Sequence, residues 1–239
     1  MGIGEIGGAG AKRRGVILDR DGTLIDVVRD EETGAITTAF HPDHIRLLPG
    51  VEEGLALLAH AGFVLAIATN QPGPAKGHFG RGAVERTNRA LVERLAERGI
   101  PIASVAVCMH HPDGGPGGDP LLVGPCDCRK PKPGLVVQLI DELGLAPEAT
   151  WIVGDTASDV EAGRGAGIHT GLIFAPNRCE LCPLRPEPSG AEGVQTGAET
   201  GQLVSRLTID PHLTKHSSLP DVTGATLLEV ARKIVASPC

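Results

Sequence analysis

Two carboxylates stand two positions apart at the end of an apolar run in the stretch VILDRDGTL, residues 16–24. The run ends at Asp19, and Asp21 follows after a single arginine. Two like charges this close repel each other, and neither gains from burial. A bound cation would relieve the repulsion, and Mg²⁺ prefers oxygen ligands of this kind. The pattern therefore predicts a metal-assisted site where this strand ends.

The same pair of residues could transfer a phosphoryl group. A carboxylate can attack phosphorus and form an acyl phosphate, which divides a hydrolysis into two easier steps. Asp19 is placed for that attack at the end of its strand. Asp21 lies two residues further on and can project towards the same side, where it could protonate the leaving oxygen and later deprotonate water. We therefore predict Asp19 as nucleophile and Asp21 as general acid and base.

A second group of residues has the spacing of a zinc site. Cys108 is followed by His110 and His111, and Cys126 is separated from Cys128 by one residue. Three cysteines and one histidine make a closed tetrahedral Zn²⁺ site of structural type. Seventeen residues separate the first two cysteines, and nine of them are Gly or Pro. Such a loop cannot build a core of its own, so we expect a metal to organise residues 108–128.

The elements that position these residues alternate along the chain. Short apolar runs predict strands, and amphipathic patterns predict helices between them; the strands are 15–19, 63–70, 104–110, 150–155 and 168–174, and the helices 51–62, 82–99, 133–144, 156–167 and 225–236. This alternation predicts an α/β fold with a mostly parallel sheet and helices on both faces. Ligands in such sheets bind beyond the carboxyl ends of the strands. Four predicted strands end in candidate chemistry, at Asp19, Thr69, Cys108 and Asp155.

Four segments, taken in order, resemble the motifs of the haloacid dehalogenase (HAD) superfamily of phosphatases. They are LDRDGTL at 18–24, ATNQ at 68–71, RKPKPG at 129–134 and VGDTASD at 153–159. The resemblance covers residues 15–175 and implies a Rossmann-like HAD fold and an aspartyl-phosphate intermediate. It implies that Mg²⁺ is held by Asp19, the backbone carbonyl of Asp21, and Asp155. It also implies that Thr69 and Lys130 stabilise the transferring group, while three further residues bind substrate, namely Asn70, Gln71 and Arg129.

Two positions near these motifs stay open at this stage. Lys132 competes with Lys130 for the phosphoryl group, although the resemblance favours Lys130, which directly follows Arg129. Asp159 lies four residues after Asp155 on a predicted helix. It is either the partner of the lysine or of a metal-bound water, or an ordinary charge on the helix surface.

The cysteine loop narrows the resemblance to a zinc-loop subfamily. It is similar to the D-glycero-D-manno-heptose 1,7-bisphosphate 7-phosphatases and the related histidinol-phosphatases, which lack a large cap domain. Only 49 residues separate Asp19 from Thr69, which fits that absence. The subfamily's Cys-x-His spacing favours His110 as the fourth zinc ligand. We expect a Mg²⁺-dependent phosphomonoesterase acting on a small phosphorylated metabolite. The heptose bisphosphate is the first substrate candidate, and histidinol phosphate or another sugar phosphate is the alternative. A non-catalytic, zinc-stapled phosphate-binding module is the third interpretation.

Composition sets further expectations for the 239 residues. A formal net charge of −7 and an aromatic content of 2% argue against a nucleic-acid partner. No apolar run is long enough to span a bilayer, and we find no signal-peptide pattern, so we expect a cytoplasmic protein without a membrane partner. We also expect a monomer. We expect a flexible lead over 1–14, a single domain over 15–239 and a flexible loop over 183–202. Cys179 and Cys182 are interpreted as free thiols.

Overall fold

The computed structural model describes residues 13–29, 36–174 and 219–237. The predicted loop over 183–202 and the pair Cys179 and Cys182 lie outside these ranges, as does most of the predicted N-terminal lead. The first strand already begins at Arg13. The last two residues of the lead that we predicted over 1–14 therefore belong to β1.

Six parallel strands form the central sheet, and two short strands form a separate antiparallel pair. The order across the main sheet is β5-β4-β1-β6-β7-β8. The strands are β1 (Arg13–Leu18), β2 (Val28–Arg29), β3 (Ile36–Thr37), β4 (Val64–Asn70), β5 (Ser104–Cys108), β6 (Leu145–Gly154), β7 (His169–Ile173) and β8 (Val222–Gly224). Because β1 and β4 are buried on both faces, they consist of nearly continuous apolar runs, as parallel sheets require.

Helices cover both faces of this sheet, as predicted. They are α1 (Val51–His60), α2 (Gly73–Lys76), α3 (Arg81–Ala96), α4 (Gly134–Leu143), α5 (Ala157–Ala166) and α6 (Leu227–Ala236). Apolar side chains of α1, α3 and α6 pack on one face, against residues such as Leu18 and Ile67. Those of α4 and α5 pack on the other face, against Ile17 and Ile152. The two cores hold β1 rigidly, and with it the residue that follows it.

The short strands β2 and β3 were not predicted, and β6 and β8 also differ from the sequence prediction. β6 begins at Leu145, five residues earlier than expected, because Leu145 pairs with Arg13 before a register shift leads to the pairing of Thr150 with Gly15. β8 was not predicted. It has only three residues and pairs with β7 at the edge of the sheet, so its own sequence carries too little periodicity to be recognised.

The carboxyl edge of the sheet lies under no large cap in the described part of the chain. Between Asp19 and Thr69, the described residues form the β2–β3 pair, one 3-10 turn, α1 and the start of β4. Asp19 directly follows β1, and Asp155 directly follows β6. The four predicted strand ends therefore lie along one edge. No helix within the described ranges is long and apolar enough to cross a membrane.

Candidate active site

Lys130 lies at the centre of the charged site. Its Nζ donates to Asp19 Oδ1 at 2.7 Å, to Asp159 Oδ1 at 2.6 Å and to the carbonyl of Ala68 at 2.7 Å. The lysine side chain is only 2% exposed. Burial alone would lower the pKa of Lys130, but the carboxylates of Asp159 and Asp19 outweigh that effect and raise it. The lysine is therefore a fixed positive charge beside Asp19.

The alternative lysine lies elsewhere. Lys132 Nζ donates to the carbonyl of Cys126 at 2.7 Å and to Asp127 Oδ1 at 3.2 Å. Its side chain is 51% exposed. Among the two candidates, only Lys130 thus reaches Asp19 in the structure.

Three carboxylates, two of which bond this lysine, lie close to one another. One oxygen each of Asp19, Asp155 and Asp159 lies within 4.8 Å of the others. Gly22, at a φ of +85°, allows the chain after β1 to pass so close to Asp155 that a Cβ there would lie 2.0 Å from Asp155 Oδ2. Such a set of oxygen donors fits Mg²⁺, which takes carboxylates and retains waters. The fit supports Asp19 and Asp155 as the residues that would hold the ion.

Burial affects the protonation of the predicted nucleophile. It raises the pKa of Asp19 to about 6, although the charge of Lys130 acts in the opposite direction. The neighbouring carboxylates of Asp159 and Asp21 add to the increase. A divalent cation at this position would favour the ionised form, which is the form that attacks phosphorus.

Asp159 is a buried part of the site and not a charge on the helix surface. It is 1% exposed. At the start of α5 its Oδ2 accepts from the backbone N–H of Thr156 at 3.2 Å, and Thr156 Oγ1 lies 2.6 Å away. Its other oxygen accepts from Lys130. The helix cap therefore orients the carboxylate that holds the lysine.

Asp21 is separated from this cluster and held by four donors. Its carboxylate accepts from Arg20 Nε at 2.9 Å, from Arg20 Nη2 at 3.2 Å and from Gln71 Nε2 at 2.6 Å. The backbone N–H of Ala39 also donates to it, at 3.1 Å. The carboxylate is therefore held in one orientation, and it is still 12% exposed.

The side chains of the three residues predicted to bind substrate, Asn70, Gln71 and Arg129, all contact other protein groups. Both polar atoms of the Asn70 side chain bond the main chain of Lys130, at 2.9 and 3.1 Å. Gln71 is fully buried and donates to Asp21 and to Thr69 Oγ1, the latter at 2.8 Å. Arg129 donates to the carbonyl of His110 at 3.4 Å. Asn70 and Gln71 thus hold other site residues, and Thr69 lies within their network.

The cysteine loop brings together the four donors predicted for zinc. Cys108, His110, Cys126 and Cys128 each place one ligand atom within 4.8 Å of the others. The Sγ atoms of Cys108 and Cys126 are 3.8 Å apart, and His110 Nδ1 lies 3.3 Å from Cys128 Sγ. Three thiols and one imidazole converging in this way fit a closed structural Zn²⁺ site. His111 is not a member of this group.

These observations agree with comparisons against known proteins. Residues 127–174 match the model of a HAD-hydrolase-like family. The chain is 35% identical over 161 residues to a D-glycero-beta-D-manno-heptose-1,7-bisphosphate 7-phosphatase of Pasteurella multocida, which covers 67% of this chain and 81% of the relative. The enzyme of that name from Escherichia coli K12 is 30% identical over 176 residues, 74% of this chain and 84% of the relative. The chain belongs to the HAD superfamily of phosphatases.

The fold of the phosphatase also has a solved counterpart. The structure of a D,D-heptose 1,7-bisphosphate phosphatase from B. bronchiseptica, complexed with magnesium and phosphate, has a TM-score of 0.64 and covers 93% of this chain and 98% of that chain. At 23% identity this likeness shows the shared fold alone.

Sequence reasoning missed part of the network that the phosphatase builds around Asp21. Arg20 is fully buried, and its Nη1 donates to Asn88 Oδ1 of α3 at 2.5 Å. Thr38 Oγ1 donates to Gln71 Oε1 at 2.9 Å. An arginine between two aspartates suggests a solvated charge, and no local signal pairs it with a residue 68 positions away.

The cysteine loop of the phosphatase also packs against α2, which follows the second motif. The backbone N–H of Asp119 donates to the carbonyl of Pro74 at 2.9 Å. Gly118 lies so close to α2 that a Cβ there would be 1.9 Å from the carbonyl oxygen of Ala75. Arg81 Nη2 and Asp119 Oδ2 form an ion pair at 2.7 Å. The loop therefore bridges the second motif and the Arg129–Lys130 segment.

Proposed function

We propose that the phosphatase is a Mg²⁺-dependent phosphomonoesterase that removes the 7-phosphate of D-glycero-D-manno-heptose 1,7-bisphosphate. The observation that supports its chemistry is the placement of Asp19 beside Lys130 and Asp155 at one strand edge. The substrate is inferred from the relatives, which carry that name at 30–35% identity over at least two thirds of this chain.

In the first step a carboxylate oxygen of Asp19 attacks phosphorus, and the bond from phosphorus to the sugar oxygen breaks. Asp21 gives its proton to that oxygen, so the sugar leaves as a neutral alcohol. In the second step Asp21 takes a proton from water, whose oxygen attacks the aspartyl phosphate. The bond to Asp19 breaks, and inorganic phosphate leaves.

Negative charge on the transferring oxygens is stabilised by fixed groups in this scheme. Lys130 supplies the positive charge, held by Asp159, and Thr69 supplies a hydroxyl. Arg129 and the backbone near Asn70 orient the substrate. Mg²⁺, held by Asp19, the carbonyl of Asp21, and Asp155, supplies charge compensation when it is bound.

Phosphate release from a panel of esters tests the proposal. The panel contains the heptose 1,7-bisphosphate, other sugar mono- and bisphosphates and histidinol phosphate, each with saturating Mg²⁺. We expect the highest kcat/KM with the heptose bisphosphate and heptose 1-phosphate as its product. A higher value for histidinol phosphate would assign the enzyme to the alternative activity. Release from none of the esters would favour a non-catalytic phosphate-binding module.

We further propose that the cysteine loop holds structural Zn²⁺ and thereby positions Arg129 and Lys130, which directly follow Cys128. Four protein ligands leave no position for a reacting water, so the metal would act through order alone. Burial raises the pKa of the Cys108 and Cys128 thiols. The charge of the metal would be needed to keep them ionised.

Cys126→Ser is expected to remove zinc and to lower kcat/KM about 10–100-fold, as the loss of a supporting interaction does at other metal sites. The measurements are zinc per chain by elemental analysis and phosphate release at saturating Mg²⁺. Cys179→Ser makes the same chemical change at a predicted free thiol and should retain both zinc and activity. Full activity in zinc-free Cys126→Ser would contradict the positioning role.

A further inference from the structure

Arg20 is a fully buried charge that the proposed reaction leaves without a role. Buried charges are retained in proteins when they are paired and hydrogen-bonded. All three nitrogens of this guanidinium are engaged. Nε and Nη2 donate to the two carboxylate oxygens of Asp21, Nη1 donates to Asn88, and Nη2 also donates to the carbonyl of Ala39 at 2.7 Å.

The contact with Asp21 has the form of a two-pronged arginine–carboxylate pair. Such pairs fix geometry as well as charge, because two parallel N–H bonds define the plane of the carboxylate. A lysine could supply the charge but not the fork. Asn88 in turn fixes the far end of the guanidinium from α3. The orientation of Asp21 therefore depends on a residue of a distant helix.

We propose that Arg20, held by Asn88, is a positioning residue for proton transfer by Asp21. This inference rests on the proposed role of Asp21 as general acid. A misoriented acid delivers its proton poorly, which matters only when the leaving group needs a proton. Loss of Arg20 should therefore slow the cleavage of alkyl phosphates much more than the cleavage of activated aryl phosphates.

A purely structural role would act differently, and the chain contains a suitable comparison. Arg94 lies on α3, as Asn88 does. It bonds residues 42–45, which follow the Ala39 that Arg20 contacts. Its Nη1 donates to the carbonyl of Ile45 at 3.2 Å, and its Nη2 donates to that of Pro42 at 3.1 Å. It bonds no carboxylate through these contacts. Removing Arg94 therefore weakens the attachment of residues 42–45 to α3 but leaves the paired hydrogen bonds from Arg20 to Asp21 in place.

The experiment compares kcat/KM for p-nitrophenyl phosphate, whose leaving group needs little protonation, with kcat/KM for the heptose bisphosphate. We expect Arg20→Met to lose about 10–100-fold more on the sugar ester than on the aryl ester. Arg20→Lys should recover part of this difference. Asn88→Ala keeps the arginine, and it replaces Arg20→Met in the test if that variant does not fold. We expect it to lose more kcat/KM on the sugar ester than on the aryl ester, by a smaller margin than Arg20→Met.

Two comparisons make the outcomes decisive. Arg94→Met should lower both values equally or leave both unchanged, whereas Asp21→Asn should show the largest bias against the sugar ester. If Arg20→Met and Asn88→Ala lose kcat/KM equally on both esters while Asp21→Asn loses more on the sugar ester, the positioning role of Arg20 is overturned. The role of Asp21 as general acid would then stand. Absence of the bias in Asp21→Asn would overturn the proposed role of Asp21, and the inference with it.

Discussion

Replacing Asp19 with asparagine is expected to lower kcat by at least about 10⁴-fold, because the variant lacks the oxygen nucleophile that forms the acyl phosphate. The amide oxygen can still accept from Lys130, which lies 2.7 Å from Asp19 Oδ1. The remaining contacts of the site should therefore persist. The measurements are phosphate release and acid-quench trapping of labelled protein after reaction with a ³²P-labelled ester. Turnover or a labelled protein in Asp19→Asn would refute the assignment.

Folding can be separated from chemistry in this variant. The pKa of Asp19 is about 6 in the folded protein against an ordinary 3.8, so the folded state binds this proton more tightly than the unfolded chain does. The contribution of Asp19 to stability therefore falls as the pH rises through this interval. Asparagine avoids that cost, so Asp19→Asn should unfold at no lower temperature at pH 8. Asp43→Asn, at a side chain that is 84% exposed, is the matched control and should retain kcat.

Replacing Lys130 with methionine is expected to lower kcat about 10²–10³-fold, the usual loss when one fixed donor to the transferring group is removed. Lys132→Met is the matched control. The exposed Lys132 side chain bonds Cys126 and Asp127 and does not contact Asp19. We expect this control to retain kcat. Equal losses in the two variants would contradict the assignment of the phosphoryl contact to Lys130.

The stability of Lys130→Met should also depend on pH. The variant leaves Asp19 and Asp159 buried without their shared cation, and breaking such a buried pair costs about 3–5 kcal/mol. Lowering the pH protonates Asp19 and thereby reduces this penalty. Because the pKa of Asp19 is already raised to about 6 with the lysine present, the stability of the variant should approach that of the wild type below this pH. Chemical denaturation at several pH values without added Mg²⁺ measures the difference.

The sequence allowed the catalytic edge of the sheet to be predicted because its signals are local. Each strand is a short apolar run, and Asp19, Thr69, Cys108 and Asp155 stand where predicted strands end. Parallel strands bring such ends together whatever their order, so the meeting of Asp19 and Asp155 required no knowledge of the strand order. Lys130 lies in the loop before α4, and only the resemblance favoured it over Lys132. The three cysteines of the candidate zinc site were predictable from their local spacing as well, whereas the choice of His110 over His111 came from the resemblance.

The support around Asp21 was not predictable because it depends on distant partners. Gln71 was expected to bind substrate, and the structure buries it between Asp21 and Thr69. Arg20 carries a charge that ordinarily favours solvent, and its burial requires Asn88 from another helix. Burial of polar residues follows from the tertiary arrangement, which periodicity does not contain.

The central position of β1 has a consequence for the synthesis of the chain. Leu18 pairs with Ile67 of β4 on one side and with Val153 of β6 on the other. A nascent chain thus carries an unpaired apolar strand until both later segments have left the ribosome, and pairing over such separations is slow. Asp19 is made early, but Asp155 arrives only with the end of β6. The candidate active site therefore cannot assemble before β6 and the start of α5 have been translated, and fragments that end before Asp155 carry Asp19 without one of the carboxylates proposed to hold magnesium.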